Sequence, residues 1–138
     1  MPLHLLKLAV GVSDLAAMRR LQRERARERG FYCFYTRNMP RREAEVLDGG
    51  SVYWVIKGYV EVRQRIRGFV PIVNRQGRPA VLVKVAATLV PTQPQPRRAF
   101  QGWRYLEPEE APQDLPKGKP GKDMPADMVR ALRALGLL

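Results

Sequence analysis

Apolar positions along this chain alternate in some stretches and recur at helical spacing in others. Leu3 to Val10 is a mostly apolar run, interrupted by His4 and Lys7 and closed by Gly11. It predicts a first strand with Leu3, Leu5 and Val10 turned to a core. Ser13 then predicts an N-cap, with Asp14 in the first turn of a helix that runs to about Arg29 and stops at Gly30. Leu15, Ala17, Met18 and Leu21 form its apolar stripe, and the RERARERG end is polar all round. The aromatic segment Phe31 to Thr36 predicts a short strand. Pro40, with Asn38 near the cap, predicts a short helix through Leu47.

The Asp48-Gly49-Gly50 turn signal opens the stretch that organises the rest. Val52, Tyr53, Trp54, Val55 and Ile56 make one β-prone run, Gly58 breaks it, and Tyr59 to Val70 makes a second, which together predict a hairpin. In the second strand Arg63, Arg65 and Arg67 share one face, while Val62, Gln64 and Ile66 share the other. Asn74 to Gly77 is a turn, and Ala80 to Ala87 is a strand with Val81, Val83 and Val85 on one side. Pro91, Pro94 and Pro96 predict extended, polyproline-like backbone outside any sheet ladder. The segment around Trp103 predicts a last strand or bulged strand crossing a barrel. Glu107 to Asp123 has the composition of a linker, and Met128, Val129, Leu132 and Leu135 mark a terminal helix. The organisation expected is one α+β domain over residues 1–115, followed by a linker and C-terminal helix over 116–138.

Charge changes this picture from fold to function. The 138 residues carry a formal net charge of +12, most of the excess being arginine. Such a surface suits nucleic acid, an anionic membrane or an acidic partner, and arginine forks onto phosphate and stacks on bases. The competing reading is a set of solvated arginines with no ligand. With one cysteine, Cys33, and one histidine, His4, an internal disulfide is impossible and a Cys/His metal site is not expected; a reducing cytoplasmic location follows. Cys33 reads as a small buried hydrophobe and His4 as an ordinary strand residue. No apolar run is long enough to span a bilayer, and the N-terminus lacks the basic leader of a signal peptide.

Catalytic patterns are sparse. The serines are Ser13 and Ser51, and neither stands in a G-x-S-x-G elbow; no phosphate-binding Walker loop or dinucleotide fingerprint occurs. Asp48, Glu43 and Glu45 are acids that also suit a turn and a helix. Nucleic-acid recognition is better supplied: cations to displace counterions and rings on which unpaired bases stack. They occur together as Arg63, Arg65 and Arg67 on one strand and as Arg97, Arg98, Trp103, Arg104 and Tyr105 near Gly102. Arg37, Arg41 and Arg42, at the start of a short helix, form a secondary basic patch.

The segments HLLKLAVGV, MPRREAEVLDGGSVYWVIKG, VRQRI and QPRRAFQGWRYLEPEEAPQDL resemble a family of short bacterial proteins classified as a domain of unknown function, some labelled lysophospholipase. That resemblance covers Leu3 to Leu115 and implies no established activity. The basic segment before Gly49-Gly50 and the hairpin YWVIKGYVEVRQRI also resemble PUA-like domains of the ASCH and EVE groups. These are small mixed β-barrels with flanking helices that commonly bind RNA or a modified base. The expectation is therefore a PUA-like α+β barrel that binds RNA or single-stranded nucleic acid without catalysis or cofactor. The alternatives are an enzyme acting on a nucleotide or nucleic acid, using an acid such as Asp48, and a ribonucleoprotein-associated module that offers its C-terminal helix to a protein partner.

Overall fold

The computed structural model describes residues 2–115. The expected C-terminal helix lies outside them. In chain order the elements are β1 (His4–Leu8), α1 (Leu15–Arg29), β2 (Cys33–Thr36), α2 (Glu43–Leu47), β3 (Ser51–Ile56), β4 (Tyr59–Val73), β5 (Pro79–Val85), β6 (Val90–Pro96) and β7 (Trp103–Leu106), with a 3-10 turn at Pro108–Glu110. The fold is α+β, as its alternating and helical patterns predict. The strands form a seven-stranded sheet in the order β2-β5-β4-β3-β1-β7, with β6 also paired to β4. Among the described residues only the β1–β3 pairing is parallel.

The axis of the sheet is the hairpin read from the sequence. Lys57 and Gly58 both have positive φ, 48° and 85°, and so make the two-residue turn whose twist suits a β-hairpin. β4 continues past Val70 to Val73 and serves both halves of the sheet. Its first half lies between β3 and β6, and its second half pairs with β5. Gln64 binds this hairpin internally, accepting from the Trp54 indole N–H at 3.1 Å and exchanging hydrogen bonds with Gln22 of α1. The sheet face beneath α1 carries the main core: Leu5, Val52, Ile56, Val62 and Ile66, each at most 1% exposed, together with Met18 of the helix. Burying each such aliphatic side chain contributes about 1.5–3 kcal/mol. The opposite face holds a smaller cluster of Leu6, Tyr53, Val55, Val60 and Leu106, covered by Phe100 and Ala111.

Several local expectations are corrected. The α1 cap is Asp14, whose carboxylate accepts from the Ala17 N–H at 2.7 Å, so Ser13 stays outside the helix. Gly30 does end it, at φ 86°. Val10 falls beyond β1 and is 81% exposed rather than turned to the core. The short strand β2 begins at Cys33 rather than Phe31, and α2 begins at Glu43 rather than Pro40. The Tyr105 hydroxyl accepts the Arg42 N–H just ahead of α2, so the chain turns in before the helix starts.

The proline segment does join the sheet. Arg97 N–H donates to the Gly58 carbonyl on the β4 side, so by alternation Pro96 points away from β4. Pro91 likewise faces the outer edge, where its carbonyl accepts from Leu115 N–H. The missing proline N–H groups thus fall where β4 does not need them. Finally, the expected barrel does not close. β2 and β7 end the strand order, and no ladder among the described residues joins them.

Candidate nucleic-acid interface

The ladder register sorts the predicted arginines and rings by face. On one side of the sheet, Arg104 of β7, Leu6 of β1, Tyr53 of β3 and Arg63 of β4 stand in one row. The two arginine groups would form one patch only if they lay side by side on neighbouring strands. Two strands intervene between Arg104 and Arg63, about 14 Å at ~4.8 Å per strand, while Arg97 and Arg98 follow β6 and lie at the Tyr59 end of β4, away from Arg63. The buried Leu6 and Tyr53 fill the interval.

Arg63 is also committed within the fold. Its guanidinium donates to both carboxylate oxygens of Asp114, at 2.7 and 2.8 Å, and to Ser51 Oγ at 3.1 Å. This fork fastens the 111–115 segment across the sheet, where Thr92 and Asp114 form an isolated bridge. Ser51 is fully buried, in keeping with a structural serine. Arg65 and Arg67 are exposed, and Arg65 makes only a 3.4 Å contact to the Leu47 carbonyl. Arg97, Arg98 and Arg104 do come together, lining a cavity of about 470 Å³ with Phe100 and Glu110. Arg97 is held by the neutral Gln95 side chain, and Arg104 lies 5.4 Å from the centre of the Phe100 ring.

The other side of β7 carries the rings. Trp103 and Tyr105 meet edge to face at 4.9 Å, turned away from the Arg104 side. Tyr105 is taken up by the fold through its bond to Arg42 N–H. Arg42 itself is paired with Glu45 at 2.6 Å and Glu107 at 3.2 Å, and these partners hold its pKa above the ordinary arginine value. Within the secondary patch this leaves Arg37 and Arg41 as exposed cations with no described acidic partner.

The residue that sequence reasoning missed is Lys7. The register places it directly between Trp54 of β3 and Trp103 of β7, on the α1 side of the sheet. It is half-buried, and desolvation holds its ammonium below the usual lysine pKa. No described carboxylate pairs with it. Lys7 borders an open cleft of about 830 Å³ with Tyr35, Arg37, Gln101, Trp103 and Arg104, and no described acid lines that cleft. The Trp103 indole N–H is anchored on the Asn38 carbonyl at 3.0 Å, which fixes the ring at the wall. Tyr35 is 46% exposed and stacks beneath the Arg29 guanidinium at 4.7 Å.

His4 serves the fold. It is buried, its Nδ1 accepts the Ser51 N–H at 3.0 Å, and burial together with the nearby Arg63 charge lowers its pKa. Asp48, the acid of the enzymatic alternative, does not line the Trp103 cleft. Cys33 is a buried thiol beside Arg29, which approaches its Sγ at 3.6 Å. No group of three His, Cys, Asp or Glu among the described residues could hold a metal ion. No helix there is long and apolar enough to cross a membrane.

The geometry thus defines a small α+β domain with a ring-lined cationic cleft that no described acid lines. The chain belongs to the family described as a protein of unknown function, DUF1489, whose model matches residues 5–138. The match continues past Leu115, where the sequence resemblance had no counterpart. No curated protein and no solved structure matches the chain.

Proposed function

We propose that this protein binds RNA or single-stranded nucleic acid, without catalysis, through the cleft at the β1–β7 edge. The observation that carries this reading is the grouping of Lys7 and Arg37 with the rings of Tyr35 and Trp103, with Arg104 at the rim, in a cavity free of described acids. Phosphate binding requires cations that are not already neutralised, and sequence-tolerant strand binding requires rings for stacking. Both requirements meet here. Arg97 and Arg98 extend the basic surface around the β7 edge, and Arg65 and Arg67 add exposed charge on β4; Arg63 contributes to the fold through Asp114. A nucleic-acid ligand and a lone thiol fit action in the cytoplasm.

The test is binding of nuclease-treated protein to labelled single-stranded RNA, single-stranded DNA and duplex DNA across a salt series. Trp103→Leu should weaken single-strand binding by about 5- to 150-fold, the range given by ~1–3 kcal/mol per stacked base. Arg37→Gln should lower the salt slope by about 0.7, the single-strand value per phosphate contact. Absence of binding to all three ligands at low salt removes the proposal.

A further inference from the structure

The cleft continues inward. Between α1 and the sheet lies a second cavity of about 360 Å³, within the ~300–1,000 Å³ range of small-ligand sites. Lys7 and Tyr35 line both cavities and so mark their junction. The recess changes character with depth. Its inner wall is apolar, built from Val12, Met18, Leu21 and Trp54, while Arg25 and Arg29 supply charge on the helix side. No described acid lines this cavity either. The Trp54 indole N–H is already spent on Gln64, so that ring offers the recess only an apolar surface.

Lys7 is the anomaly that ties the cavities together. A half-buried ammonium is ordinarily paired with a carboxylate, because desolvation without a partner is costly. Here the neighbours across the ladder are two indoles, and the charged groups lining the same recess are arginines. A monoanionic aromatic acid would need one cation. Lys7, Arg25 and Arg29 around one recess suit a dianion attached to a flat ring.

We infer that recess and cleft together form a site for a nucleoside monophosphate unit, its ring under α1 against Leu21 and Trp54, its phosphate at the junction on Lys7 and Arg29. For the chemistry of the ligand this rests on the nucleic-acid reading, but the site needs no strand. It takes a free nucleotide or the terminal nucleotide of a chain whose remainder runs out across Trp103.

The experiment is calorimetric titration of the full chain with adenosine and uridine 5′-monophosphates, the matching nucleosides, ribose 5-phosphate and inorganic phosphate. A nucleoside monophosphate should bind at least about tenfold more tightly than the nucleoside or either ringless phosphate, since one well-placed charged or stacking contact is worth ~1.4 kcal/mol or more. Lys7→Met and Leu21→Trp, the second filling the recess, should each remove at least about tenfold of that affinity. Arg29→Gln, at an exposed position, gives the same comparison if Leu21→Trp does not fold. Binding no tighter than inorganic phosphate, or insensitive to both Leu21→Trp and Arg29→Gln, overturns the inference. RNA binding without mononucleotide binding also overturns it and leaves the proposed function standing. Mononucleotide binding without RNA binding supports the site and removes the strand-binding function.

Discussion

Gly50 packs against main chain just ahead of β1 and near the end of α2, and Gly50→Ala tests that junction. A Cβ built there would lie 2.2 Å from the Leu3 carbonyl oxygen and 2.3 Å from that of Val46, against an ordinary contact of 3.4 Å or more. Both obstacles are main chain, so no rotamer change relieves them. Relieving both requires the main chain at Leu3 and at Val46 to give by about 1 Å, and overpacking of this kind costs ~1–3 kcal/mol even where side chains can yield. The shift also stretches the Gly50 N–H bond to Val46 at 2.7 Å and the Ile66 N–H bond to Gly50 at 3.0 Å. Each is worth on the order of 1 kcal/mol. The total is about 4 kcal/mol, a large part of the ~5–15 kcal/mol that holds a domain folded. At a urea dependence of ~2 kcal/mol per molar, the unfolding midpoint should fall by about 2 M. Gly49→Ala is the control. Its φ of 102° makes alanine strained, but the new Cβ meets only the Pro2 side chain at 3.5 Å. It should cost about 1–2 kcal/mol, or roughly 0.5–1 M of midpoint. A Gly50→Ala midpoint no lower than that of Gly49→Ala would refute the close-approach argument.

Two further outcomes follow from the described contacts. The folded pKa of His4 is depressed, so its neutral form is the one the fold accepts; stability is complete above the unfolded value of ~6.5 and is lost as pH falls toward the folded value. Parent protein should therefore lose more urea resistance between about pH 7.5 and 5.5 than His4→Gln does, and equal losses would show that His4 does not carry the effect. Arg63→Gln should lower stability by about 1–3 kcal/mol by releasing Asp114, expose the 107–115 segment to limited proteolysis, and change RNA affinity less than about threefold; a large affinity loss with unchanged stability would return Arg63 to the interface.

Much of the architecture was written in local pattern. The Val52–Ile56 and Tyr59–Val70 runs, with Gly58 between them, form the hairpin expected, because alternation and turn chemistry act over a few residues. The boundary errors came from side chains competing for the same backbone groups, as Asp14 displaced Ser13 at the α1 cap. The β6 error had a subtler cause: proline forbids a ladder only on the side where an N–H is required, and sequence does not reveal which side that is. The candidate site was legible in part. Arg37, Trp103 and Arg104 were singled out for charge and ring content, and all three line the cleft. Lys7 was not, since in HLLKLAVGV it is one polar residue in an apolar strand. Its setting is created by ladder partners 47 and 96 positions away, Trp54 and Trp103. The separation of Arg63 from Arg104 was equally invisible, because strand order is a property of the whole chain.

The place of β1 sets a timetable for the protein's making. Among the described strands β1 is the first to leave the ribosome, yet it sits inside the sheet with β7 as its outer neighbour, His4 opposite Leu106. The β3–β4–β5 meander can zip as soon as it is synthesised, whereas the β1–β7 ladder must wait until nearly all of the described chain has emerged. Until then one edge of β1 stays bare, and the wall that carries Trp103 does not exist. The outer cleft is therefore completed late, so a nascent chain cut short before Trp103 would keep most of its core and the recess under α1 but lack the Trp103 wall.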